Sequence, residues 1–118
     1  MKISTMQELL GANVLCGERH LGNHVYNACG CDLMSDVLAF AKDQAVLLTG
    51  LVNPQVVRTA LMMDMKCIVF VRSKQPTEDI IKLADEHDLV VLETDMSLYN
   101  ACGKLYTNGL ADSKGVDK

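Results

Sequence analysis

The feature that most restricts this chain is Cys67-Ile68-Val69-Phe70-Val71, five consecutive apolar residues. A strand with one face in water alternates apolar and polar residues, whereas a parallel strand covered by helices on both faces is apolar throughout. This run therefore predicts a central, parallel strand. Around it, strand-then-helix patterns repeat over 45–65, 67–88 and 89–108. Consecutive units of this kind need right-handed crossovers, which place helices on both faces of the sheet. The expected fold is α/β, a three-layer α/β/α sandwich with a mixed, mainly parallel central sheet.

Local signals set the remaining elements. Ser4 and Gln7 have capping-box spacing, and Met6, Leu9 and Leu10 share a face, so a short helix is expected over 4–10 with Gly11 ending it. Strands are expected at 12–16 and 24–29, and the seven residues 17–23 between them are short enough for an antiparallel hairpin. Met34, Val37, Leu38 and Ala41 give the stripe of a half-buried helix, with Asp32 or Ser35 available to cap it. Asn53-Pro54 starts a helix, because Asn can accept an orphan N–H and Pro at the first helical position has no donor to lose. Pro76-Thr77 opens another, and Asp95 or Ser97 caps the last, which Gly109 stops.

With 118 residues, 49% of them hydrophobic, the chain has the size and composition of a single core. We expect one domain over residues 1–110 and a polar, flexible C-terminal tail over 111–118. Fifteen acids against 11 bases, with no Lys/Arg run, give a net charge of -4. Nucleic acid is thus not an expected partner, since its affinity comes largely from phosphate neutralisation. No apolar run approaches the roughly 20 residues a membrane-spanning helix requires, and the first residues lack the apolar stretch of a secretory signal. A cytoplasmic location follows, in which the 5 cysteines are expected to be reduced thiols.

Ligands of open α/β sheets gather at the carboxyl ends of the strands, where helix N-termini offer free N–H groups. Asp32, Ser35, Asp36, Thr49, Gly50, Asn53 and Arg72 are the candidate ligand-binding residues there, with Ser73 and Thr94 close by in the pattern. Each Ser, Thr and Asn among them has the plainer reading of a helix cap, and Gly50 that of a turn. Arg72 is more specific, because it directly follows the apolar strand and its guanidinium can hold an anion at two points. Phosphate-binding GxxxxGK[ST], dinucleotide GxGxxG and hydrolase GxSxG motifs do not occur, so no enzymatic activity and no cofactor are expected.

Cys29-Gly30-Cys31 offers an alternative, a cysteine-based metal or redox sensor with Cys102 as a further thiol. A CxC pair lacks the second paired motif that makes a metal assignment firm, and Cys16, Cys67 and Cys102 lie on apolar faces. Met62, Met63 and Met65 after Pro54, and Phe40 on the preceding helix, extend the apolar surface beyond what one core needs. These positions are expected to form a homodimer contact.

The segments 29–39 (CGCDLMSDVLA) and 47–54 (LLTGLVNP) resemble the two central motifs of the DRTGG domain family. Ile68-Val69-Phe70-Val71-Arg72 and Asp95-Met96-Ser97-Leu98-Tyr99 are also similar in kind, and the resemblance extends from residue 1 to about residue 110. This family resembles the amino-terminal domain of HPr kinase/phosphorylase and accompanies CBS domains in regulatory inorganic pyrophosphatases and some phosphotransacetylases. The resemblance implies a non-catalytic regulatory module that takes a small anionic, phosphate- or nucleotide-like ligand, a regulatory partner protein such as a kinase, or both. No P-loop kinase domain is present. Of the name pentad, Thr49-Gly50 match the T-G and Leu51 stands at the second Gly, while the Asp-Arg pair is replaced around Gly22-Asn23-His24.

Overall fold

The computed structural model describes residues 1–42 and 44–110, so the expected tail at 111–118 lies outside the described residues. Its centre is the pair β3 (Ala45–Thr49) and β4 (Cys67–Phe70), in which every residue is buried. Alternate side chains of these strands enter opposite layers. Val46, Leu48, Cys67 and Val69 pack with helices α1 (Ile3–Leu10) and α5 (Leu98–Thr107). Leu47, Ile68 and Phe70 pack with α2 (Met34–Phe40), α3 (Pro54–Met62) and α4 (Glu78–Glu86). The predicted three-layer sandwich is therefore observed. Helices of 7 to 10 residues are too short to persist alone in water, so this two-sided burial holds them in place.

Five strands form the sheet in the order β1-β5-β4-β3-β2, with β1 at Asn13–Cys16, β2 at Asn27–Gly30 and β5 at Val90–Glu93. Strands β2 to β5 are parallel, and β1 pairs antiparallel with β5. The sheet is mixed, as expected, but the β1–β2 hairpin does not exist. The two strands occupy opposite edges. Because β1 runs against its neighbour, it delivers the chain to the end of the sheet where the parallel strands begin. Residues 17–26 then cross beneath that end. Four strand spacings are about 19 Å, well within the roughly 33 Å that ten extended residues can reach. Gly17 makes the first bend at φ 84°, where a Cβ would lie 2.8 Å from Val90 Cα.

This crossing also explains the start of α1. The helix begins one residue before the expected capping box, at Ile3, and no side chain caps it. Ile3 N and Ser4 N instead donate to the carbonyls of Asn23 and Leu21 in the crossing segment, both at 2.9 Å. Gly11 ends the helix in the left-handed conformation, as its position predicts.

Thr94 performs a similar service at the other end of the sheet. Its side chain is buried, and Oγ1 donates to the orphan carbonyl of Leu10 at 2.7 Å while accepting from Met96 N at 3.3 Å. Thr94→Val keeps the shape but removes both bonds. It is expected to cost about 1–3 kcal/mol, the scale for leaving buried polar groups unpaired. A urea titration with unchanged m-value checks this, and wild-type stability in the variant would contradict the assigned role.

Candidate functional site at the strand ends

The parallel strands end at Gly30, Thr49, Phe70 and Glu93, and their following loops share one rim. Asp32 is the residue that joins two of them. Its Oδ1 accepts from Gly50 N at 2.8 Å and from Thr49 Oγ1 at 2.9 Å. Thr49 is fully buried and its hydroxyl oxygen accepts in turn from Leu51 N at 3.1 Å. The carboxylate therefore binds the β2–α2 loop to the β3–α3 loop. With Asp32 used in this way, α2 starts after Leu33 with no side-chain cap, contrary to the expectation for Asp32 or Ser35.

Arg72 comes to the same place from the third loop. A Cβ on Gly50 would lie 3.5 Å from Arg72 Nη2 and 3.8 Å from both Asp32 carboxylate oxygens, so these groups surround the bare glycine backbone. Arg72 and Ser73 both adopt left-handed φ, 55° and 58°. Non-glycine residues resist that conformation at a cost of order 1 kcal/mol or more each. The neighbouring loop holds them there. Arg72 N donates to Met96 O at 2.8 Å, Ser73 N to Thr94 O at 3.0 Å, and Ser73 Oγ to Asp95. Among the described residues the exposed Arg72 side chain makes no hydrogen bond or ion pair.

The other predicted residues are distributed less tightly. Asn53 is the N-cap residue of α3 and Pro54 its first residue, as expected, yet the Asn53 side chain does not cap the helix. Its Oδ1 is buried without a hydrogen-bond partner among the described residues, an acceptor left open beside the Gly50 turn. Ser35 and Asp36 are exposed in the first turn of α2 and are not hydrogen-bonded to the Asp32–Gly50 group. The structure thus brings Asp32, Thr49, Gly50 and Arg72 together and leaves Ser35 and Asp36 on the margin. Asp95, which fixes the Arg72-Ser73 turn through Ser73, was visible in the sequence as a possible helix cap and as the first residue of a family-like segment. Ser97 takes that capping role, accepting from Asn100 N at 3.1 Å.

Gly22-Asn23-His24, the stretch that replaces the family's Asp-Arg pair in the sequence comparison above, is not part of this rim. His24 bridges to Lys2 beneath the opposite end of the sheet. Leu47 and Leu48, buried in β3, stand directly before Thr49.

The thiols are placed less favourably for chemistry. Cys16 and Cys67 are buried, and burial pushes Cys16 up to about 11 and Cys67 higher still. Burial also raises Cys29, with Cys31 and Cys102 adding to the effect, and it raises Cys102. No group of three or more His, Cys, Asp or Glu side chains able to hold a metal occurs among the described residues.

A cavity of about 1110 Å³ runs along α5, lined from Met96, whose carbonyl accepts from Arg72 N, to Thr107. It is mainly apolar, whereas the rim brings charged and polar groups together. Among the described residues no helix is long and apolar enough to cross a membrane.

Fold and rim together define a three-layer, mainly parallel α/β domain with a polar rim at its strand ends. The model of the DRTGG domain matches residues 5–106, and the chain belongs to that family. Among solved structures it is similar to the CBS and DRTGG domains of the regulatory region of Clostridium perfringens pyrophosphatase, complexed with the activator diadenosine tetraphosphate. The TM-score is 0.71 at 13% identity, over 88% of this chain and 45% of that one, so the likeness is one of fold. This chain therefore spans less than half of that regulatory region. No curated protein matches the chain.

The thiol environments can be checked directly. A thiolate is the reacting species, so Cys16 and Cys67 are expected to resist iodoacetamide in the folded protein at pH 8 and to react after unfolding. Cys29 and Cys102 should alkylate more slowly than an unfolded cysteine, gaining rate as pH rises toward their raised pKa values. Rapid labelling of Cys67 in the native state would contradict the packing described.

Proposed function

We propose that this chain is a non-catalytic regulatory module that receives a small anionic, phosphate- or nucleotide-like ligand at the rim. In this reading Arg72 holds the anion, while the Gly50 backbone allows it close approach. Asn53, Ser35 and Asp36 border the site. Asp32 positions the Gly50 turn. The observation that carries the reading is an exposed guanidinium with no partner among the described residues, held over Gly50 by a left-handed turn that costs backbone energy. Strain of this kind is retained where surrounding structure enforces it, and such places are frequently ligand sites. The activator in the pyrophosphatase region belongs to the same chemical class, which supports the choice of phosphate-bearing compounds.

Catalysis is less well supported. The Thr49 hydroxyl is buried and already bonded to Asp32 and Leu51, so it is not available as a nucleophile. A cysteine-based sensor is also less well supported, because burial raises Cys29 and Cys102 and so disfavours the thiolate that metal binding and redox exchange require.

Thermal unfolding in the presence of inorganic phosphate, ADP, ATP and diadenosine tetraphosphate tests the proposal. A ligand at 100 times its Kd stabilises the native state by about 2.7 kcal/mol, so the Tm should rise with concentration for at least one of them. Arg72→Ala should weaken that ligand by about ten- to hundredfold, the value of a lost charge-assisted contact. If no compound raises the Tm, the ligand reading fails, and recognition of a partner protein at the same rim is what remains.

A further inference from the structure

We infer, resting on the rim reading above, that the ligand of this domain is a nucleoside phosphate and not a bare oligophosphate: its phosphates lie at Arg72 and Gly50, and its nucleobase enters the cavity along α5. The connection 94–97 between β5 and α5 joins the two places. Thr94 O accepts from Ser73 N and Met96 O from Arg72 N. Two residues further on, Leu98 reaches the end of β2, where a Cβ on Gly30 would lie 3.6 Å from Leu98 Cδ1. The connection therefore crosses the strand ends from β5 to β2, passing the loops that carry Arg72 and Gly50. Met96, Leu98 and Tyr99 are also the residues at which the cavity of about 1110 Å³ begins. The segment that holds the Arg72 turn is thus the near wall of the cavity, and the two sites are continuous.

The cavity has the form that a flat aromatic ring needs. Tyr99, Gly103 and Tyr106 follow one another on a single face of α5, four and then three residues apart. The two tyrosines are 87% and 66% exposed, and nothing lies within 4 Å of where a Gly103 Cβ would stand. Glycine is a poor helix former, and no close packing within this chain calls for one at 103. The bare backbone there leaves a floor between two aromatic side chains. A nucleobase gains affinity by stacking on such side chains, whichever base it is. The volume is slightly above the roughly 300–1,000 Å³ of small-molecule sites, so a nucleoside fits.

Charge points the same way. Lys104 is the one charged side chain lining the cavity, in a chain of net charge -4, and no carboxylate lines it. A site with a cation at the rim, an apolar aromatic floor and a second cation beside that floor suits a ligand that is anionic at one end and flat and apolar at the other. The opposite layer offers less apolar surface than the sequence suggests. Met65 is a core residue at 3% exposure and Met63 is partly buried in the same layer, so the dimer contact expected there keeps only Met62 and Phe40 as exposed positions.

Isothermal titration calorimetry of the full chain with ATP and with inorganic tripolyphosphate tests the assignment. Both carry three phosphates and tripolyphosphate is the more highly charged, so charge alone favours it. ATP should instead bind about tenfold more tightly or better, the scale of one stacked base. Tyr99→Ala and, separately, Gly103→Leu should raise the ATP Kd by about tenfold and leave the tripolyphosphate Kd unchanged, whereas Arg72→Ala should weaken both. Gly103→Leu puts a better helix former at an open position, so it should fold with unchanged circular dichroism while filling the floor. Tripolyphosphate binding as tightly as ATP, or an ATP affinity untouched by both α5 variants, overturns the base assignment and leaves the rim reading standing. If neither compound binds, the rim reading falls and the base assignment with it. Sedimentation velocity on the same samples covers another occupant: a wild-type dimer that Gly103→Leu dissociates, with ATP affinity unchanged, gives the flank to a second copy and overturns the assignment as well.

Discussion

The parallel ladder between β3 and β4 is the constraint on which the rest depends. Its register runs from Val46 opposite Cys67 to Thr49 opposite Phe70, so the two strands end at the same height. Because both strands are buried on both faces, a slip of one residue would send every side chain into the wrong layer. Two exact layers of apolar residues therefore fix where the β3–α3 and β4–α4 loops emerge. Those loops carry Gly50 and Arg72. The juxtaposition that defines the rim is thus a consequence of core packing, and the loop residues need only finish it.

What they add is a set of short polar ties with a cost. Asp32 joins the first two loops through Thr49 and Gly50, and Thr94, Asp95 and Met96 hold Arg72 and Ser73 in a conformation those residues disfavour. An unstrained turn would need no such support. Here the strain directs a long cationic side chain over a backbone that has no Cβ to block it. Thr49 and Thr94 play matching parts in this design, each accepting from the amide two residues ahead, Leu51 N and Met96 N. Both rim loops are in this way started by a threonine at a strand end.

Much of this was legible in the sequence wherever local chemistry and burial agreed. The uninterrupted Cys67–Val71 run identified a central strand because only two-sided burial tolerates it. Asn53-Pro54, Ser97 and Gly11 marked helix ends through backbone requirements that act within a few residues. Long-range partners were not legible. Ser4 has the right spacing for a cap, yet the orphan amides of α1 found carbonyls in the crossing segment. Residues 17–23 are short enough for a hairpin, yet β5 competed for β1 and won. Asp32 looked like a helix cap because nothing local reveals that its acceptors would serve Thr49 and Gly50, 17 and 18 residues away. The left-handed turn at Arg72-Ser73 carries no glycine or asparagine signal. It exists because the neighbouring loop enforces it.

The central claim is that three strand-end loops form one receptor surface. Amide chemical-shift mapping by NMR tests it most directly, by adding a phosphate-bearing nucleotide to the labelled protein and recording which resonances move. The account predicts changes concentrated at Asp32, Gly50, Leu51, Asn53, Arg72 and Ser73, with the far end of the sheet around Gly17 and His24 unmoved. Shifts centred on that far end, or along α5 with the rim silent, would contradict it.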